Sequence, residues 1–140
     1  MSYNLRIEAI NQEIEEIETL GGWEAVFQHL IETGEALPEL PDRYRTDEHL
    51  VPGCQSRLWC GCDVDESGVI RLFVDSNSTL VKGLAGIYVR ALDGLSLTDV
   101  DNVDIDLPLQ IPFLSSHLSA GRKNGLASLN KQLSTFFHKP

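Results

Sequence analysis

Three cysteines, Cys54, Cys60 and Cys62, and four histidines, His29, His49, His117 and His138, carry the most versatile chemistry in this 140-residue chain. A thiolate is a nucleophile and a metal ligand; an imidazole is a base and a metal ligand. An odd number of cysteines argues against a disulfide framework. Thiol chemistry, metal binding and plain burial then compete. The pattern Cys54-x5-Cys60-x-Cys62 is not one of the common zinc spacings, which use Cys-x2-Cys pairs or Cys/His quartets. On a strand, however, Cys60 and Cys62 would share a face about 6.5–7 Å apart, close enough for two ligands of one metal. A fourth ligand would then come from Asp63, His49 or His117. A hydrolase or transferase would instead pair Cys54 with a histidine, yet no local signature links any of the four to it. The plainest reading makes Cys60 and Cys62 small residues filling an inward strand face.

Cys54 sits in a different context, Val51-Pro52-Gly53-Cys54-Gln55-Ser56-Arg57-Leu58-Trp59. Pro52 fixes its own φ and pushes Val51 towards an extended shape. Gly53 opens backbone conformations that other residues avoid. A cysteine placed after Pro-Gly and just before a strand occupies the tip of a tight loop, where binding and catalytic residues are common. Such a thiolate can attack a persulfide on another protein and surrender the sulfur again. Arg57, or an arginine from elsewhere, could help to lower its pKa. Burial as a small apolar residue is the competing reading.

The elements that would position this loop follow from periodicity. Ile7, Ile10, Ile14, Ile17 and Leu20 form a helical stripe closed by Gly21-Gly22. Trp23, Val26, Phe27, Leu30 and Ile31 make a second helix, with Gly34 as its expected C-terminal cap. Pro38 and Pro41 exclude helix, and an irregular stretch is expected through Tyr44 to Val51. Leu58, Cys60, Cys62 and Val64 alternate with Arg57, Trp59 and Asp63. After the Ser67-Gly68 turn, Ile70, Leu72 and Val74 alternate with Arg71, Phe73 and Asp75. Two antiparallel strands result. Ser76 or Ser78 caps a helix that faces Leu80, Val81, Leu84, Ile87, Tyr88 and Leu92 inward, stopped by Gly94. Residues 95–113 fit a short helix or a third strand, broken by Pro108 and Pro112, with a helical turn from Ser115 to Ser119. A last helix is expected from about Lys123 to Phe137, striped by Leu126, Leu129, Leu133 and Phe137. No linker is visible, so the expectation is one α+β domain over 1–140, with a small antiparallel sheet packed against helices.

Composition bounds the function. With 42% hydrophobic and 23% charged residues, the chain can bury a core. A net charge of −10 disfavours nucleic acid and anionic membrane surfaces as partners. The cluster Glu13, Glu15, Glu16 and Glu18 reads as a solvated helix face. No apolar run is long enough to span a bilayer, and the N-terminus lacks the features of a secretory signal, so a cytoplasmic location is expected.

Ordered blocks complete the reading. Pro52-Gly53-Cys54-Gln55-Ser56-x-x-Trp59 resembles the signature loop of the SufE family of Fe–S metabolism-associated proteins, which includes the related CsdE. Asp75-Ser76 with Val81-Lys82-Gly83-Leu84 resembles the opening of that family's central helix. His117-Leu118-Ser119, Arg122 and Asn124-Gly125-Leu126 resemble its C-terminal block, and Leu30-Ile31-Glu32-x-Gly34 with Leu37-Pro38 its second helix and exit. The similarity spans about residues 5–137. It implies an α+β fold shared with cluster-assembly scaffolds. It also implies an accessory protein, rather than a complete enzyme, that stimulates a pyridoxal phosphate-dependent cysteine desulfurase of the SufS or CsdA kind. Cys54 would accept its persulfide sulfur for a downstream cluster scaffold, with no cofactor of its own. Gly53, Gln55, Ser56 and Arg122 would serve the loop and partner binding. The sequence departs from the family pattern at Cys60, at Asn77-Ser78, and at Gly121 and Lys123, which leaves partner preference open. The alternative is a scaffold-like protein binding metal or an Fe–S cluster through Cys54, Cys60 and Cys62. A third possibility is an interaction module whose cysteine is incidental. A sheltered Cys54, walled by Val51, Leu58 and Trp59, is expected in the isolated protein, since a bare persulfide would be lost to stray thiols or oxidation.

Overall fold

The isoleucine stripe and the Trp23–Ile31 stripe both become helix in the computed structural model, which describes residues 2–138. Met1, Lys139 and Pro140, the ends of the expected 1–140 domain, lie outside the described residues. The two stripes form α1, Tyr3–Glu35, which is interrupted at Gly22 (φ 80°, ψ −178°). Glu13 and His29 touch across that break. On a straight helix, 16 residues would separate them by about 24 Å. The arms therefore fold back on each other as a helical hairpin, with Gly22 at the tip. Leu20, expected in the stripe, is 90% exposed beside that tip, and Trp23 is half exposed. Gly34 does not cap the second arm as expected. The helix continues to Glu35 and is capped at Ala36. Gly34 instead lets α1 meet Gly83 closely: a Cβ on it would lie 2.8 Å from the Gly83 Cα.

Strands β1, Leu58–Val64, and β2, Ile70–Ser76, pair antiparallel, with Cys60 opposite Val74 and Cys62 opposite Leu72. Of the residues expected to face inward, Leu58, Cys60, Ile70, Leu72 and Val74 are buried, whereas Cys62 and Val64, nearer the turn, are half-buried. The intervening turn is held by the Asp65 carboxylate, which accepts from the Ser67 and Val69 amides at 2.9 and 3.0 Å. The second sheet face is covered as well. Tyr44 lies so close over Gly61 that a Cβ there would sit 2.1 Å from its ring, and the same ring stacks on Phe73. The stretch before the cysteine loop is accordingly more ordered than its prolines suggest. Two 3-10 turns, Asp42–Tyr44 and Asp47–His49, lead into Leu50, which bridges to Trp59.

Helix α2, Thr79–Leu92, is capped by Ser78, whose hydroxyl accepts from the Val81 amide at 3.2 Å. Residues 95–113 form no third strand beyond a single bridge from Ser96 to Val69. They hold a 3-10 turn, Leu97–Val100, then α3, Leu107–Gln110, and the start of α4, Pro112–His117. Pro108 and Pro112, expected as breakers, lie in the first turns of α3 and α4. A missing amide hydrogen costs little there. Helix α5, Ala120–Phe137, starts three residues before the expected Lys123 because Ser119 caps it. Tyr88 of α2 donates to Asn130 of α5 at 2.5 Å within the core, and Arg90 of α2 grips Glu13 with both terminal nitrogens. The helices thus pack on one small sheet as a single α+β domain. No helix is long and apolar enough to cross a membrane among the described residues.

Candidate functional site

The feet of the cysteine loop are pinned by hydrogen bonds. On one side the Val51 amide donates to the Leu58 carbonyl at 2.8 Å. On the other, the Arg57 amide donates to the Asn77 side chain at 3.0 Å, and the Ser76 hydroxyl donates to the Arg57 carbonyl at 2.5 Å. Between the feet, no hydrogen bond ties Pro52–Ser56 to another element among the described residues. Gly53 adopts φ +75°, the left-handed conformation that its sequence context anticipates. Cys54 follows it, half buried rather than bare.

Packing supplies what hydrogen bonds do not. The three residues Gly53, Cys54 and Gln55 run along one face of α5. A Cβ on Gly125 would lie 3.2 Å from the Cys54 Sγ. One on Gly121 would lie 2.7 Å from the Gln55 Nε2, and one on Gly53 would lie 3.5 Å from the Ser128 hydroxyl. Beside the thiol is an enclosed crevice of about 10 Å³, lined by Cys54, Gln55, Val81, Leu84, Gly121, Arg122 and Leu126. That is room for roughly one water-sized group. The shelter expected from Val51, Leu58 and Trp59 is therefore built by α2 and α5 instead. Val51 and Leu58 are core residues, and Trp59 lies under the Arg45 guanidinium, 4.9 Å from it. These helices reach the loop only through tertiary packing, and local sequence carries no record of it.

The remaining expected residues divide clearly. Gln55 and Arg122 join Cys54 at the crevice, and Arg122 has no ion-pair partner among the described residues. Ser56 lies half buried in the loop, outside the crevice lining. Cys60 is buried, and burial pushes its thiol up to about 12. Burial likewise pushes Cys62 up to about 12, with the neighbouring Cys60, Asp63 and Asp93 adding to the shift. Neither is a thiolate at neutral pH. No cluster of three Cys, His, Asp or Glu side chains is arranged to hold a metal among the described residues.

The histidines are engaged elsewhere. His29 pairs with Glu13, and His49 packs edge-on to Tyr44. His117 stacks on Phe113, and His138 reaches the Val100 carbonyl at 3.2 Å. Sequence reasoning missed Val81, Leu84, Gly121 and Leu126 as parts of the site. Gly121 and Lys123 stood out only as departures from the family pattern.

The site is thus a half-buried loop thiol seated on a glycine-lined helix in a small α+β domain. The chain belongs to the SufE family, whose Fe-S metabolism associated domain matches residues 11–137. That membership places it in iron–sulfur metabolism. The solution structure of a hypothetical protein from Thermus thermophilus shares the fold, with a TM-score of 0.73 at 24% identity, over 96% of this chain and 94% of that one.

Proposed function

We propose that this protein is a sulfur relay: Cys54 takes sulfane sulfur from a cysteine desulfurase, stimulates that enzyme and passes the sulfur on for cluster assembly. The observation that carries the reading is the difference among the thiols. Cys54 alone stands on a loop, beside a crevice at the surface of α5, whereas Cys60 and Cys62 lie in strand β1, where burial holds them protonated. In the first exchange the Cys54 thiolate attacks the outer sulfur of the desulfurase's cysteine persulfide. A new S–S bond forms to Cys54, the old one breaks, and the desulfurase cysteine leaves as thiolate. The second exchange repeats this chemistry towards a scaffold or a reductant. No oxidant, and no cofactor of the chain's own, enters either step.

The crevice beside Sγ suits the resting carrier, since one added sulfur is about the size of the group it can hold. To meet a partner's persulfide, the loop must leave the crevice, and its pinned feet with an unbonded middle make that movement inexpensive. The reducing cytoplasm is the compartment in which such a thiol stays available.

The test is intact mass spectrometry after mixing the protein with a desulfurase and free cysteine. Wild type and the Cys60→Ser/Cys62→Ser double variant should gain sulfur, and Cys54→Ser should not. Sulfur on Cys54→Ser would refute the relay. Metal that co-purifies only when all three cysteines are present would favour a scaffold-like protein. Full function in Cys54→Ser would leave an interaction module.

A further inference from the structure

The strip of α5 beneath the loop begins in the first turn, at Gly121, and carries a second glycine, Gly125, in the helix interior. Gly121, Gly125 and Ser128 succeed one another at helical spacing, opposite Gln55, Cys54 and Gly53 in turn. A glycine inside a helix is unfavourable by about 0.5–1 kcal/mol relative to alanine. Gly125 is buried, and the three groups nearest to its missing Cβ are all atoms of Cys54, the Sγ at 3.2 Å and the Cα and Cβ at 3.6 Å. The three groups nearest to a Cβ on Gly121 are likewise all atoms of the Gln55 side chain. This differs from Gly83, whose neighbours are rigid backbone atoms of α1. The nearest groups to both α5 glycines thus belong to the cysteine loop.

We propose that Gly121 and Gly125 are positioning residues: they form the seat that holds the cysteine loop retracted, and their lack of side chains sets how often Cys54 is exposed. The loop between its feet has no hydrogen bond to another element among the described residues, so packing retains it, against this strip and against Val81 and Leu84 of α2. A methyl group on Gly125 would press on the thiol itself. The helix backbone cannot yield, but the loop can, and it swings towards solvent. A methyl on Gly121 meets the movable end of Gln55 and disturbs the seat less. This assignment deepens the relay reading, because it names what governs the availability of the same thiol. It does not depend on which protein delivers the sulfur.

The experiment measures alkylation of each cysteine by iodoacetamide at fixed pH, resolved by peptide mass mapping, with thermal unfolding in parallel. No desulfurase is present, so failure of the relay and failure of the seat are read separately. In Gly125→Ala, Cys54 alkylation should accelerate about tenfold, which corresponds to about 1.4 kcal/mol in the balance between seated and open loop. Cys60 and Cys62 should stay unreactive, and Tm should hold or rise, since alanine favours helix. Gly121→Ala should show a smaller acceleration of Cys54 alone. An unchanged Cys54 rate in Gly125→Ala would overturn the proposal. So would a fall in Tm accompanied by labelling of all three cysteines, because the glycine would then serve the fold rather than the loop.

Discussion

Replacing Gly83 by alanine sets two effects of opposite sign against each other. Alanine in a helix interior is favoured over glycine by up to about 1 kcal/mol. At this position, however, the new Cβ would lie 2.5 Å from the Leu30 carbonyl oxygen, 2.8 Å from its carbon and 3.1 Å from the Ile31 nitrogen. Ordinary contacts between such atoms fall at about 3.5–4.0 Å, so α1 and α2 must part by roughly 1 Å. Every atom met is backbone in a buried helix, and no rotamer change relieves the overlap. Overpacking of this kind costs about 1–3 kcal/mol, sometimes more. The overlap wins, and a net loss of about 1–2 kcal/mol is expected. For a domain of this size that lowers Tm by about 3–10 °C. Urea unfolding should show a lower midpoint at unchanged slope, since the exposed surface on unfolding is the same. Gly34→Ala probes the same crossing from the other helix, and the double variant should lose less than the two losses combined. A Tm for Gly83→Ala equal to or above wild type would refute the account of a close, unyielding crossing.

Other expectations can be checked alongside. Because burial pushes both thiols up to about 12, Cys60 and Cys62 should resist alkylation at pH 8 and react only in denaturant, whereas Cys54 reacts in the folded protein; equal rates for all three would contradict the buried placement. Burial alone would raise the Glu13 carboxyl, but hydrogen bonds from Arg90 and His29 outweigh it and hold the pKa below the ordinary value. A carboxyl with a depressed folded pKa contributes stability that is complete above its unfolded pKa and lost as pH falls through the folded one. Glu13→Gln should therefore be less stable than wild type at pH 7, with the gap closing under acid conditions; a gap that persists at pH 2 would point to packing instead. Ser119→Ala removes the side-chain cap of α5 and should cost about 1 kcal/mol in denaturant melts; no loss would mean that the loop before α5 fixes the helix start without the hydroxyl.

Much of this architecture is legible in residue order, and the exceptions have physical causes. The helical arms, the hairpin and α2 are visible because each buries one face, and burying one face leaves a period of 3.6 or 2 in the sequence. The loop before β1 is visible because Pro52 and Gly53 restrict and free the backbone locally. Leu20 misleads because it continues the stripe beyond the point where Gly22 turns the chain back, so it overshoots the core. Pro108 and Pro112 mislead because proline is compatible with the first turn of a helix and hostile to later ones, and sequence alone does not say which turn it occupies. The walls of the crevice stay hidden for a different reason. Val81, Leu84 and Leu126 are ordinary stripe residues, and only the docking of α2 and α5 against the loop gives them a second task. The same docking explains why Gly121 reads as a mere departure from a pattern.

The seat of Cys54 lies about 70 residues downstream of it, on the last helix. During synthesis at about 5–20 residues per second, the thiol would emerge several seconds before the surface that shelters it exists. Throughout that interval the nascent chain carries an unguarded nucleophile. Protection of the sulfur is thus a property of the finished chain, and a protein truncated before α5 would retain the cysteine while losing its safekeeping.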